Sequence, residues 1–146
     1  MKRFAFPLDR VMGWRRTQAH IEESKLERLH AEMRAIESRT AEVLNEREHS
    51  EAQIVAAGSA TGMELAALDS FKKASVAECA RLADAAADAR KRIAAQLQVV
   101  TQKRRDLRLL ENLRDRKLRA WKSELDREID REASELYLTL LAARIK

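Results

Sequence analysis

The stretch Gly58-Ser59-Ala60-Thr61-Gly62 separates two long segments in which apolar residues recur at alternating steps of three and four. Glycine just beyond a helical pattern is a frequent helix stop, so Gly58 predicts the end of a first helix. Thr61 is followed three residues later by Glu64, the spacing of a capping box, which predicts the start of a second helix. The chain is therefore expected to reverse direction at this break.

The composition favours long helices over a globular core. Of the 146 residues, 4% are aromatic and 36% are charged, and there is one proline, as is typical of a coiled coil. We predict an all-α fold of two long helices that form an antiparallel coiled-coil hairpin, as a single rod over residues 1–146. Helix one is expected at about 7–57, the turn at 58–62 and helix two at about 63–142.

The apolar residues of helix one fit one unbroken heptad frame, whose a and d positions face a partner helix. Its apolar members are Leu8, Met12, Ala19, Leu26, Leu29, Met33, Ile36, Val43 and Ile54. Polar members of the same frame are Arg15, Glu22, Thr40, Arg47 and Ser50. The stripe expected for helix two is Leu65, Leu68, Val76, Cys79, Leu82, Ala86, Ile93, Leu97, Val100, Leu107, Leu110, Leu118, Trp121, Leu125, Ile129, Leu136 and Leu140. Its frame is not fixed over residues 89–97, where alanines cluster.

Helix two is expected to extend beyond helix one. Folding about residue 60 places residue i opposite roughly residue 120 − i, so Leu8 lies opposite about Asn112. The following thirty or so residues would form an arm of roughly 45 Å with no partner in the chain. Its apolar stripe would face water unless a partner covers it. The alternatives are that the arm frays or that two copies pair in a homodimer.

Charge is unevenly distributed along the chain. Residues 90–122 carry twelve basic and three acidic side chains, whereas residues 18–89 carry eight and fourteen. Basic helices can bind DNA, but Asp106, Glu111 and Asp115 interrupt this block, and no aromatic residue is interleaved between Lys103 and Arg119 to stack on bases. An acidic protein surface is therefore the expected partner, and nucleic acid is not.

The sequence predicts no enzyme, metal site or cofactor. His20, His30 and His49 lack a Cys or carboxylate at metal-ligand spacing, and there is no glycine-rich phosphate loop. A two-helix hairpin also lacks a concave pocket in which to desolvate a substrate. The single Cys79 is expected to face the seam, as a structural residue in a reducing compartment.

Neither a membrane span nor a targeting segment is expected. No stretch of 18 uncharged apolar residues occurs. After Met1-Lys2-Arg3, the apolar run of Phe4-Ala5-Phe6 stops at Pro7, which is too short for a signal-peptide core.

Both ends of the chain carry a longer motif. It opens with Phe4-Ala5-Phe6-Pro7-Leu8-Asp9-Arg10-Val11, Trp14-Arg15-Arg16 and Gln18, and closes with Leu110-Glu111-Asn112-Leu113-Arg114 through Arg119, Trp121, Glu124, Arg127, Asp130 and Glu135. This resembles the FliJ family of flagellar type III export proteins, which open with two aromatics and Pro-Leu and close with a basic, then acidic, helix.

The resemblance implies a cytoplasmic, non-enzymatic component of the export apparatus at the inner membrane, attached to that membrane only through partners. Family members insert the end that carries both termini into the ring of the export ATPase FliI and promote its assembly. They also contact the export gate protein FlhA and bind export chaperones. The corresponding rod of a virulence injectisome is an alternative that the sequence does not separate.

The site residues follow from the resemblance and from the typical interface roles of Trp and Arg. For the ATPase ring they are Arg10, Trp14, Arg15, Gln18, Arg119, Trp121, Glu124, Leu125 and Asp126. For the export gate, the family uses an exposed aromatic early in helix two. Phe71 is the only aromatic between Trp14 and Trp121 and falls off the cleanest seam positions, so we expect an exposed role for it.

Overall fold

Two helices account for nearly all of the computed structural model, which describes residues 3–145. Helix α1 spans Asp9–Ala57 and helix α2 spans Gly62–Arg144, and no strand occurs among the described residues. The predicted all-α hairpin with a longer second helix is confirmed. The single unit over residues 1–146 stays a prediction, and Met1, Lys2 and Lys146 lie outside the described residues.

The contacts divide the chain into two compact units. The first, which we call the terminal unit, comprises Met1–His20 and Gln102–Lys146, and the second, the hairpin unit, comprises Ile21–Thr101. The apolar segments of the two helices, over residues 3–145, are not long enough to cross a membrane.

The turn is built as the sequence predicts. Gly58 has a φ of 70°, the left-handed conformation that ends many helices, and its N–H donates to the Val55 carbonyl at 3.2 Å. Thr61 then donates its backbone N–H to the Glu64 carboxylate at 2.7 Å, and Glu64 donates its N–H to the Thr61 hydroxyl at 3.2 Å. These reciprocal bonds are a capping box, and they satisfy N–H groups at the start of α2.

Helix α1 begins two residues later than the predicted start at residue 7. The Leu8 carbonyl accepts the Met12 N–H at 2.9 Å, so Leu8 is the residue that caps the helix. The Asp9 N–H donates to the Phe6 carbonyl at 3.1 Å, which closes a turn around Pro7. The last residue, Ala57, agrees with the prediction.

Side-chain pairs in the hairpin unit show that its two helical segments run antiparallel. Gln96 donates to the Glu22 carboxylate at 2.6 Å, Arg39 pairs with Glu78 at 3.0 Å, and Lys72 pairs with Glu51 at 3.1 Å. As the position in α1 rises, the partner position in α2 falls. These pairs agree with the predicted register, in which residue i lies opposite about 120 − i.

The seam of the hairpin unit is narrow and built from small residues of α2 against larger residues of α1. Met33 packs with Ala86 and Ala89, and Ile36 and Ile93 flank this cluster. Alanine at these positions leaves room for the helices to approach closely. From Met12 to Ile54, every a and d residue predicted for helix one is buried or half-buried, so the heptad frame of α1 is confirmed.

The predicted stripe of α2 is wrong at three positions of the hairpin unit. Leu65, Val76 and Leu97 are 51%, 56% and 50% exposed, and beside the last two the seam residues are Ser75 and Gln96. Ser75 satisfies its hydroxyl by donating to the Phe71 carbonyl at 2.9 Å. Gln96 reaches across to Glu22. A continuous frame therefore does run through residues 89–97, but small and polar side chains occupy its inward positions.

Substituting Gly58 and Gly13 should change stability in opposite directions. Gly58→Ala forces an L-residue into the left-handed region and should lower the free energy of unfolding by about 1–2 kcal/mol. Gly13 lies inside α1 with nothing within 4 Å of an added Cβ, so Gly13→Ala should raise it by about 0.5–1 kcal/mol. Urea unfolding followed by circular dichroism measures both. Equal changes of the free energy of unfolding in the two variants would contradict a left-handed conformation of Gly58 at the end of α1.

The capping box should make the stability of the protein depend on pH in the acid range. The N–H and hydroxyl of Thr61 hold the pKa of Glu64 below its ordinary value of 4.5. A lowered folded-state pKa stabilises the protein above pH 4.5, and this contribution is lost as pH falls through the folded-state value. Glu64→Gln should therefore lower the melting temperature at pH 7, and the difference from the parent should shrink at acid pH. Glu48→Gln, at an exposed position of α1, is the control and should change little at either pH.

Candidate functional site

The residues before α1 cover part of α2 in the terminal unit. We call residues 3–8 the N-terminal strap. Phe6 is only 8% exposed, and the ring of Phe4 lies 5.9 Å from that of Trp121, tilted by 54°. This separation and tilt are typical of favourable aromatic pairs. The strap is anchored on α2 by these apolar contacts.

The strap changes where α2 becomes uncovered. The prediction that α2 has no partner in the chain beyond about Asn112 is wrong, because Leu118, Trp121 and Leu125 are half-buried. That prediction considered contacts between the two helices alone, whereas the strap, residues 3–8, precedes α1. Trp121 and Leu125, which were expected in the exposed arm, belong instead to the covered part of α2.

Beyond Leu125, every described residue of α2 is exposed. We call residues 126–144 the free arm; as helix it is about 28 Å long, shorter than the predicted 45 Å. Its last turns carry Leu136, Tyr137, Leu138 and Leu140, each 64–67% exposed. Consecutive residues point about 100° apart, so these side chains spread over about 200° of the helix circumference, and Glu135 and Thr139 lie in the remaining sector.

An apolar surface that covers more than half of a helix's circumference is wider than the stripe of a helix that packs on one face. Tyr137, Leu140 and Leu141 also line a shallow depression with Ala143 and Arg144. The free arm is therefore an exposed apolar surface of the terminal unit that calls for a partner.

Charged pairs hold the early part of α1 against α2 in the same unit. Arg15 contacts Asp106 at 3.3 Å, and Arg16 contacts Glu111 at 3.7 Å. The guanidinium of Arg15 also lies 5.1 Å from the ring centroid of Trp14, a cation–π contact. Arg15 was expected to contact a partner, and here its charge is engaged within the chain, while Trp14 remains 54% exposed.

The predicted ATPase-contact residues fall into two groups. Exposed residues are Arg10, Trp14, Arg119, Glu124 and Asp126, and half-buried residues are Arg15, Gln18, Trp121 and Leu125. The antiparallel register places the α1 group opposite roughly residues 102–110, about 13 Å or more along the helix from Arg119. The residue that meets Trp121 is Phe4, from the strap.

Phe71 is half-buried, in contrast to the exposed role that the sequence suggested. It lines a groove of the hairpin unit with Ile54, Leu68 and Glu64. Phe71 is therefore only partly accessible to a partner.

The hairpin unit offers little chemistry. Cys79 is a half-buried free thiol that lines a groove with Met33 and Leu82, in agreement with a seam-facing position. Within residues 3–145, no group of three His, Cys, Asp or Glu side chains is placed to hold a metal ion.

Sequence reasoning missed several residues of the site. Phe4 and Phe6 were part of the opening motif, but a search for helical periodicity does not place residues of a non-helical strap. Tyr137, Leu138 and Leu141 lie off the predicted stripe. The continuous run from Leu136 to Leu141, with only Thr139 polar, was the signal for an arm whose apolar surface is wider than one stripe.

No family model matches this chain, and no curated protein or solved structure is significantly similar to it.

Removing the strap contact should expose Trp121 to water. In a Trp14→Phe background, which leaves Trp121 as the only tryptophan, Phe6→Ala should shift the fluorescence emission to longer wavelength and increase quenching by iodide. The reason is that Phe6 is the buried side chain of the strap, and the Phe4 ring of the same strap lies against Trp121. Phe71→Ala, in the hairpin unit, is the matched control and should leave the emission unchanged. An unchanged spectrum in Phe6→Ala would show that the strap does not shield Trp121 in solution.

Proposed function

We propose that this chain is a non-enzymatic docking protein of the flagellar type III export apparatus, with the free arm as its docking element. The observation that carries the proposal is the arm itself, a helix of about 28 Å whose described residues are all exposed and whose apolar side chains near its end spread over about 200° of its circumference. We propose the flagellar export apparatus in particular because the two ends of the chain resemble the FliJ family.

The shape of the apolar surface favours a partner that encloses the helix. A helix that lies on a flat surface buries one face, whereas Leu136, Tyr137 and Leu138 point in three different directions. A channel at the centre of a ring covers all of them at once. The ring of an export ATPase is the partner of this kind that the resemblance implies.

The basic charge of residues 90–122 can orient the chain on its partner, whereas the free arm is the part that would insert. Residues 90–122 carry a net charge of +9, from twelve basic and three acidic side chains. An acidic rim on the partner would attract this block, increase the association rate and align the arm with the channel. Trp14 and Arg119, both exposed, are candidates for contacts at such a rim.

The proposed mechanism is asymmetric packing. One helix inside a ring of identical subunits contacts them unequally, so it biases them toward different conformations and promotes ring assembly. The protein contributes no catalytic group of its own. Its place in this scheme is the cytoplasm, beside the inner membrane, where the gate protein and the export chaperones are its further partners. Phe71, which is half-buried, is the proposed gate contact.

A homodimer through the free arm is the second candidate, because the same exposed leucines could pair with their own copies. The injectisome counterpart of the rod is a third and predicts the same surfaces with a different ring. Sedimentation equilibrium separates the homodimer from the other two, because a dimer would depend on protein concentration and on the arm.

Disrupting the arm should abolish docking. Leu136→Ser with Leu140→Ser removes two exposed apolar side chains, and should eliminate co-purification with the export ATPase from the same organism and the stimulation of its hydrolysis. The expected weakening is at least tenfold, because two leucines fully buried at an interface contribute about 1.5–3 kcal/mol each.

The matched control is Val55→Ser with Met63→Ser, which removes two apolar side chains that are 79% and 84% exposed in the hairpin unit. This variant should bind and stimulate the ATPase as the parent does. Phe71→Ala, tested on the isolated gate protein, addresses that contact separately. If the parent neither binds the ATPase nor stimulates it and forms an arm-dependent dimer, the homodimer replaces the export proposal.

A further inference from the structure

A row of arginines lies on α2 in the terminal unit, on the face turned away from α1. We call Arg105, Arg108, Arg116 and Arg119 the arginine stripe; all four are exposed. At about 100° per residue they fall within a sector of about 80°, and they extend over about 21 Å. The half-buried residues of the same segment, among them Leu107 and Leu110, lie on the opposite face.

The arginines of the stripe are not paired with neighbouring acids. Asp115 lies at the edge of the stripe, four residues before Arg119, but forms no ion pair with it among residues 3–145. In the part of the chain that the structure describes, none of the four arginines makes an ion pair, whereas the nearby Asp106 and Glu111 are engaged by Arg15 and Arg16. Like charges three residues apart on a helix repel. Arg105 with Arg108 and Arg116 with Arg119 are two such pairs.

Some exposed lysines of the hairpin unit are paired with an acid of their own helix. Lys25 pairs with Glu22 three residues away, and Lys73 pairs with Asp69 four residues away. Such pairs stabilise a helix modestly. A helix face that served solubility alone could carry such pairs of opposite charge. The repulsion between the arginines of the stripe therefore indicates an anionic partner.

Two exposed leucines border the stripe and favour a partner that offers both phosphates and an apolar layer. Leu109 is 69% exposed between the two arginine pairs, and Leu113, beside it, is 36% exposed. Arginines with neighbouring leucines on one face of a helix match the boundary between lipid headgroups and acyl chains. Duplex DNA offers phosphates but would leave these leucines in water.

We propose that the arginine stripe binds the surface of a membrane that contains anionic phospholipids. The guanidinium groups bind headgroup phosphates, which they match with paired N–H donors, while Leu109 enters the shallow apolar layer. This contact does not depend on the export proposal, and it adds direct lipid binding where the sequence suggested attachment through partners alone.

The test measures binding of the full-length chain to vesicles. We expect sedimentation with vesicles of phosphatidylcholine and phosphatidylglycerol in equal parts, and much weaker binding to phosphatidylcholine alone. Arg105→Gln, Arg108→Gln and Arg116→Gln together should weaken the anionic-vesicle binding about a hundredfold, at roughly fivefold per charge. Substituting the same three residues with lysine, which keeps the charge, should retain most of it.

The matched control removes three exposed cations of the hairpin unit through Arg28→Gln, Arg81→Gln and Lys91→Gln, which changes the net charge equally. Circular dichroism verifies that each variant is folded. The stripe variant should lose binding and the control should keep it. Equal losses in the two would overturn the proposal in favour of non-specific attraction by net charge. Stripe-dependent binding to duplex DNA that exceeds the binding to anionic vesicles would also overturn it.

Discussion

The point at which the chain reverses is the constraint on which the rest of the structure depends. The left-handed backbone of Gly58 and the box formed by Thr61 and Glu64 place this point between residues 58 and 61. Helix α1 has 49 residues and α2 has 83, so α2 must extend beyond the residues that α1 can cover. The free arm is thus a consequence of where the turn lies.

Little apolar surface holds the paired helices together. Among residues 3–145, only eight hydrophobic residues are buried, among them Ala86, Ala89 and Val100. Small residues let the two helices approach closely but bury little apolar area, so other contacts must fix the register of the pair. Polar contacts across the seam, such as Gln96 with Glu22 and Arg39 with Glu78, fix the register, because a shifted register would leave these groups without partners. Surface ion pairs of this kind contribute little to stability itself.

The fold could be predicted because its signals are local, whereas the details that failed depend on contacts distant in sequence. Gly58 and the Thr61 box act within a few residues, and α1 has strong apolar residues at its inward positions. In α2 the inward positions hold Ser75 and Gln96, and apolarity alone selects their neighbours, which point about 100° away. The strap was missed because Phe4 meets Trp121 across more than a hundred residues of sequence.

The exposed end of α2 also has a consequence for the lifetime of the protein. Leu136, Tyr137 and Leu140 resemble the apolar segments of unfolded chains, which chaperones and proteases of the quality-control system recognise. A copy whose arm is bound escapes this surveillance, and a surplus copy is exposed to it. Turnover would thereby match the abundance of this chain to that of its partner without any dedicated regulator.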